Sequence, residues 1–319
     1  MKPKKEYIIL VILIAALSAY LVFHKESRLH YRMPVLGKIS KKEITKLTLK
    51  DASSDIILQK KDGKWLILPE KFPADPALAD RMEEKITSLT LTALASKAGY
   101  DSVYGLDNAG AIRVSAYDGN RLLRSFAVGK AASEGRQTFI KIGGDDRVFY
   151  ADGDLRESFA GKVEDLRDKT VLSFEDGITG VTIEKGRRKS VFVKGNSSAK
   201  GEPGKKSNAT TWLTAEGSKA DAGKIGDIIS TLSNLTCDGF VLSETKKDFT
   251  DPSYVVTLNG GKTYSLSLFR KEGDRYPAVS SQSDYPFYLE GWKAEALIKT
   301  LDALSAKTKQ AGRLKEKKI

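Results

Sequence analysis

The stretches ITKLTL (residues 44–49) and ITGVTI (residues 178–183) share one pattern of β-branched and aliphatic residues. An alternation of this kind is typical of a β-strand. The two stretches lie 134 positions apart. The repeat is either a chance likeness of two strands or the start of a longer duplication, and the residues that follow each stretch favour the second interpretation.

The sequence after the first strand predicts a hairpin in each copy. Asp62-Gly63 is a strong signal for a tight hairpin turn and is followed by Trp65. Trp65 corresponds to Trp212, now at a spacing of 147. The larger spacing indicates an insertion near residues 195–211, and its Gly, Ser, Lys and Pro content predicts a flexible loop.

A helix is predicted next in both copies, over residues 74–89 and 220–235. Asp75 and Asp221 stand where an N-cap carboxylate accepts amide protons of the first turn, and Pro76 occupies the favoured first helical position. The apolar residues of each segment fall on one helical stripe, which predicts that the helix packs on a sheet: Ala79, Met82, Ile86 and Leu89 in the first copy, and Ile225, Ile228, Leu232 and Leu235 in the second.

Strand and turn patterns complete the repeat. Asp118-Gly119 in the first copy matches Asn259-Gly260 in the second, and Phe149-Tyr150 matches Phe287-Tyr288. Because four blocks recur in the same order, we predict an α+β fold with two tandem copies of a β-hairpin, helix and antiparallel β-meander unit. The copies are expected at residues 41–173 and 174–305.

The N-terminus predicts a membrane anchor at residues 1–24. Tyr7 to Phe23 contains no charged side chain and, as a helix, is about 25 Å long, slightly less than a bilayer core of about 30 Å. A core helix or a cleaved signal peptide are the alternatives. The lysines before the run place the N-terminus in the cytoplasm, so we expect a single-pass protein of the bacterial inner membrane, with a juxtamembrane tether at residues 25–40 and the rest periplasmic.

The net charge of +12 does not indicate nucleic-acid binding, because the excess is at the chain ends. Residues 1–43 carry nine basic against three acidic side chains, and the tail at residues 306–319 carries six against one, leaving about +1 for the rest. A nucleic-acid binder needs basic residues on a folded face. The tail is predicted to be a disordered basic segment.

No catalytic, cofactor or metal site is predicted. His24 and His30 are the histidines of the chain, both beside the apolar run, so the body has no His for a Ser-His-Asp or Cys-His site, and one Cys allows no disulfide or paired-thiolate zinc site. Asp145-Asp146 and the Asp152/Asp154 pair carry acidic side chains typical of turns, with a hard cation such as calcium as the alternative. We therefore predict that the protein is not an enzyme.

An aromatic group near the end of the second copy is the one candidate contact site. Tyr285, Phe287, Tyr288 and Trp292 are predicted to pack a sheet face, and the alternative is an exposed set that contacts a ligand or partner.

Several motifs resemble one bacterial family. Tyr104 to Leu106 (YGL), Val128 to Lys130 (VGK) and the stretch LRDKTVLSF at residues 166–174 are similar to the family called domain of unknown function 4340. The resemblance covers about residues 40–300 and implies one N-terminal span, a duplicated extracytoplasmic region and a role beside ABC-2 type transporters or gliding-motility proteins. The second copy lacks the Gly-Leu of the motif, and the motifs supply no catalytic residues.

Three functions are therefore considered. The first is a membrane-anchored interaction or scaffold module outside the cytoplasm, bound to the bilayer through its N-terminal helix and to subunits of an ABC-type transport complex. The second is a module that binds cell-envelope glycan or another ligand. The third is a carboxylate-dependent hydrolase, which requires two acidic side chains converging in a cleft.

Overall fold

The computed structural model describes residues 5–23, 31–97, 99–132, 136–175, 177–195 and 211–316. The chain divides into two compact units, which are Met1–Arg167 (unit 1) and Asp168–Ile319 (unit 2). Each unit is built on its own antiparallel sheet.

The sheet of unit 1 has nine described strands in the order β4-β3-β2-β1-β6-β7-β8-β9-β5. Their bounds are β1 Lys46–Lys50, β2 Asp55–Lys61, β3 Lys64–Leu68, β4 Phe72–Pro73, β5 Leu91–Ser96, β6 Ile112–Asp118, β7 Arg121–Ala131, β8 Gln137–Ile142 and β9 Val148–Asp152.

The sheet of unit 2 has eight described strands in the order β13-β12-β11-β16-β17-β18-β19-β15, and β10 and β14 form a separate pair. Their bounds are β10 Thr170–Ser173, β11 Gly180–Lys185, β12 Arg188–Gly195, β13 Thr211–Thr214, β14 Asn234–Thr236, β15 Gly239–Phe240, β16 Tyr254–Asn259, β17 Thr263–Leu268, β18 Arg275–Ser280 and β19 Phe287–Glu290.

The described helices are fewer than the strands, and two short segments of 3₁₀ helix lie at residues 41–43 and 101–104. The helices are α1 Lys5–Phe23, α2 Pro76–Thr87, α3 Arg156–Phe159, α4 Val163–Leu166, α5 Ala222–Leu232 and α6 Gly291–Glu316.

The two sheets have one strand order in common. Reading from β3 to β5 in unit 1 gives the same sequence of equivalent strands as reading from β13 to β15 in unit 2. In both, the first strand of the repeat lies between the strand that follows it and a strand that comes later in the chain, after the helix: β1 pairs with β2 and β6, and β11 pairs with β12 and β16.

The helix caps predicted from the sequence are confirmed, and so are the stripes up to Ile86 of α2 and Leu232 of α5; Leu89 and Leu235 lie beyond the helix ends. Asp75 accepts hydrogen bonds from the amides of Ala77 (2.7 Å) and Leu78 (3.1 Å), and Asp221 accepts one from Lys224 (3.3 Å). All eight apolar stripe residues are buried. Each helix therefore covers one face of its sheet and leaves the other face to the alternate residues of the strands.

The predicted α+β class is wrong. The described chain is mostly antiparallel β-sheet, and its helices are few. The sequence carries strong local signals for the two amphipathic helices, whereas most of each unit consists of short strands, and some of these pair with strands far away in sequence, such as β5 with β9.

The predicted transmembrane helix is also wrong. Within the part of the chain that the structure describes, no helix combines the length and the apolar character that crossing a membrane requires. The uncharged run from Tyr7 to Phe23 has 17 residues, fewer than the ~20 that a bilayer core needs.

Within unit 1, the segment at residues 31–37, before β1, is hydrogen-bonded to residues in and near the sheet. The hydroxyl of Tyr31 accepts a hydrogen bond from the amide of Leu94 (2.9 Å), and Arg147 donates to the carbonyl of Arg32 (2.9 Å). Arg124, which is buried, donates to the carbonyl of Gly37. Residues 25–30 of the predicted tether and residues 196–210 of the predicted insertion lie outside the described residues, while α6 continues to Glu316, into the predicted tail.

Candidate functional site

The face of each sheet opposite its core is formed by the alternate residues of the strands. In unit 1, Leu47 and Leu49 of β1 point into the core, and Thr48 between them is half-buried on the other side. In unit 2, Val181 and Ile183 are buried, and Thr182 has the corresponding position. We call these the open faces of the two units.

A row of hydroxyl side chains crosses the open face of each unit at equivalent strand positions. In unit 1, Thr48 is opposite Ser115, and Ser115 is opposite Ser125, with their hydroxyl oxygens 3.1 Å apart. In unit 2, Thr182 is opposite Thr257, and Thr257 is opposite Ser265. Such pairs stabilise neighbouring strands and leave hydroxyl groups on the surface.

The open faces differ in charge. That of unit 1 carries Lys46, whose ammonium group lies 4.4 Å from the ring centre of Tyr117, and Arg113, which is bonded to Asn108 (2.6 Å). The central positions of unit 2 are all uncharged, and Val193 among them is 50% exposed: Thr182, Val191, Val193, Leu213, Val255, Thr257 and Ser265.

The predicted aromatic site is divided between two sides of β19. Phe287 is fully buried in the core of unit 2, whereas Trp292 on the first turn of α6 is 68% exposed. Tyr288 is half-buried with the guanidinium of Arg275 4.5 Å from its ring centre. Tyr285 makes an edge contact with the ring of Phe240 at 6.4 Å. The four residues therefore belong partly to the core and partly to the surface.

The acidic turn residues have local partners. Asp145 accepts hydrogen bonds from Nε (2.9 Å) and Nη2 (2.7 Å) of Arg147, and this pairing lowers the pKa of Asp145. Asp154 accepts from the amide of Glu157 (3.2 Å). Among the described residues, no group of three or more His, Cys, Asp or Glu side chains is arranged to hold a metal ion.

A pocket of about 570 Å³ lies in unit 2 between the β11–β12 hairpin and α6, on the side of the sheet opposite the open face. We call it the basic pocket; its described lining is Lys185, Arg188, Lys189, Ser190, Asp302, Ser305 and Ala306. Sequence reasoning missed this site, although the stretch EKGRRK at residues 184–189 carries its signal.

One wall of the basic pocket is organised by Asp302. Its Oδ1 accepts hydrogen bonds from Nζ of Lys185 (2.6 Å) and from the hydroxyl of Tyr254 (2.9 Å). The bond to Asp302 raises the pKa of Lys185, and burial raises the pKa of Tyr254. Lys185 is therefore a cation and Tyr254 a neutral hydrogen-bond donor at physiological pH.

Together, the fold and these surfaces define a protein with two antiparallel β units of one strand order. The second unit has an open face with uncharged central positions and a basic pocket. The chain belongs to the family described as Domain of unknown function (DUF4340), whose family model matches residues 65–255 and so extends into both units. The family predicted from the sequence motifs is thereby confirmed. Comparisons with curated proteins and with solved structures gave no match.

Proposed function

We propose that this chain is a non-catalytic interaction module that acts outside the cytoplasm as an accessory component of an ABC-type envelope transport complex. A protein partner docks on the open face of unit 2. The observation that carries the proposal is the uncharged centre of this face. At the positions of Gly180 and Val255, the open face of unit 1 has the charged residues Lys46 and Arg113. The family resemblance supports the transport context.

The chemistry of this face suits a protein surface. The centres of protein interfaces are depleted in charged residues, because a charge that loses its water must find a new partner. Valine and leucine side chains lose little on desolvation, and threonine and serine hydroxyls can exchange water for a hydrogen bond to the partner. On the open face of unit 1, a partner would have to remove water from the charged side chains of Lys46 and Arg113.

The test is co-purification of the tagged full chain from its own cells in detergent, with the recovered membrane proteins identified by mass spectrometry. We expect a permease subunit of the ABC type. Thr257→Lys places a charge in the centre of the face and should reduce recovery about tenfold or more, because burying an unpaired charge costs more than ~1.4 kcal/mol.

Ser115→Lys is the matched control, since Ser115 has the position in unit 1 that Thr257 has in unit 2. This variant should recover the partner as well as the unmodified chain does. Thermal unfolding of both variants verifies that each is folded. The proposal fails if no permease of this type is recovered, or if Thr257→Lys recovers it undiminished.

A further inference from the structure

The basic pocket of unit 2 has an excess of positive charge. Lys185 is paired with Asp302, and Lys189 is paired with Glu184 (2.9 Å), which is not part of the described lining. Arg188 makes no ion pair with any described side chain. With three cations and one carboxylate in the described lining, the pocket attracts an anion.

The same hairpin of unit 1 shows that the fold does not need this charge. There the β1–β2 hairpin has Asp51 and Asp55 at the positions that Lys185 and Lys189 have in unit 2. Asp51 accepts hydrogen bonds from the amides of Ser53 and Ser54 (2.7 Å each), so this turn is closed by its own side chain. The hairpin of unit 1 therefore forms without basic residues at these positions. Because the fold does not require the basic residues of the unit 2 hairpin, their presence points to a role in binding.

We propose that the basic pocket binds a phosphate group carried on an organic body. The guanidinium of Arg188 can donate two parallel hydrogen bonds to a phosphate, and the ammonium groups of Lys185 and Lys189 add charge. Ser190, which is buried, and Ser305 bring hydroxyl groups to the lining. A volume of about 570 Å³ is larger than inorganic phosphate requires and lies in the usual range for small-molecule sites, about 300–1,000 Å³.

This inference is independent of the proposed protein partner. Ser190 lies on the side of β12 that faces the core, with Phe192, whereas Val191 and Val193 lie on the open face. Arg188 lies on the same side of β12 as Ser190, so a substitution of Arg188 is separated from the partner surface by the sheet, and either site can fail its test without the other.

The experiment titrates the full chain with inorganic pyrophosphate in a calorimeter at low salt. Arg188→Gln should weaken binding about tenfold, the effect of losing one charge-assisted hydrogen-bonding partner. Arg187→Gln is the matched control: Arg187 is the exposed neighbour in the same turn, carries the same charge and does not line the pocket. This variant should bind as the unmodified chain does.

Asp302→Asn tests the opposite sign. It removes the carboxylate from the pocket, leaves the charge of Lys185 uncompensated and should tighten pyrophosphate binding several-fold, since an amide oxygen can still accept the bond from Tyr254. A second arm uses vesicles with and without phosphatidate, to distinguish a soluble phosphate ester from a lipid headgroup.

Binding that depends on Arg188 in either arm supports the inference and identifies the source of the phosphate. Absence of binding in both arms overturns it. Equal weakening by Arg187→Gln and Arg188→Gln also overturns it, because the anion would then respond to the charge of the hairpin in general and not to the pocket.

Discussion

At the scale of residues, Asp145 shows how an acidic turn residue of unit 1 contributes to stability. Its side chain is 19% exposed, and its paired bonds to Arg147 lower its pKa from the usual 3.8. Because the pKa is lower in the folded state, the stabilisation is present above pH 3.8 and is lost as the pH falls through the folded-state pKa. Asp145→Asn should cost about 1 kcal/mol at pH 7, and the difference should shrink as the pH falls below 3.8.

Urea unfolding at a series of pH values measures this difference. Asp146→Asn is the control. The side chain of Asp146 is 97% exposed, and its carboxylate comes no closer than 3.8 Å to the ammonium group of Lys141, so this substitution should change the free energy of unfolding little at any pH. A difference for Asp145→Asn that stays constant down to pH 2 would contradict the pairing.

Also at this scale, the residues of the basic pocket show which part of a site the sequence reveals. Lys185, Arg188 and Lys189 are close in sequence. The net charge of residues 44–305 is nevertheless only about +1, so a sum over this range does not reveal the local basic cluster. The opposite wall comes from α6, and Asp302 is 117 positions from Lys185. A local charge count could have found the hairpin; only the tertiary structure brings Asp302 and Ser305 to it.

At the scale of elements, the N-cap of α2 gives a direct prediction. Asp75 accepts hydrogen bonds from two amides of the first turn, so Asp75→Ala should lower the free energy of unfolding by about 1 kcal/mol. Asp75→Asn should lower it much less, because asparagine caps a helix nearly as well. Equilibrium unfolding in urea compares the variants, and an equal loss in both would mean that the charge, not the hydrogen bonding, is what matters.

The helices were the elements most accessible from sequence, because caps and stripes are local patterns. The predicted helical stripe extends one position too far in both units. In unit 1, α2 ends at Thr87, before Leu89, and in unit 2, α5 ends at Leu232, and Leu235 lies in β14. Leu235 is buried in either conformation, so periodicity of burial alone does not mark the end of the helix. The sheets were underestimated for the complementary reason, since the order of strands depends on contacts between distant segments.

At the scale of the molecule, the assignment of residues 168–173 decides what unit 2 contains. The sequence repeat placed them at the end of the first copy, whereas the structure divides the chain after Arg167. Strand β10 pairs with β14, and Val171 and Leu172 are buried in the core of unit 2. Ser173 exchanges hydrogen bonds with Gln282, at 2.6 and 2.8 Å.

This assignment predicts a large difference between two fragments of the chain. A fragment of residues 168–319 retains β10, and it should unfold cooperatively because the core of unit 2 consists of its own residues. A fragment of residues 174–319 loses Val171 and Leu172, each worth about 1.5–3 kcal/mol when buried. The loss of about 3–6 kcal/mol is comparable with the whole stability of a domain, about 5–15 kcal/mol. Urea unfolding followed by circular dichroism should therefore show a clear transition for the first fragment and a weak or absent one for the second, whereas equal midpoints would place β10 outside the cooperative unit.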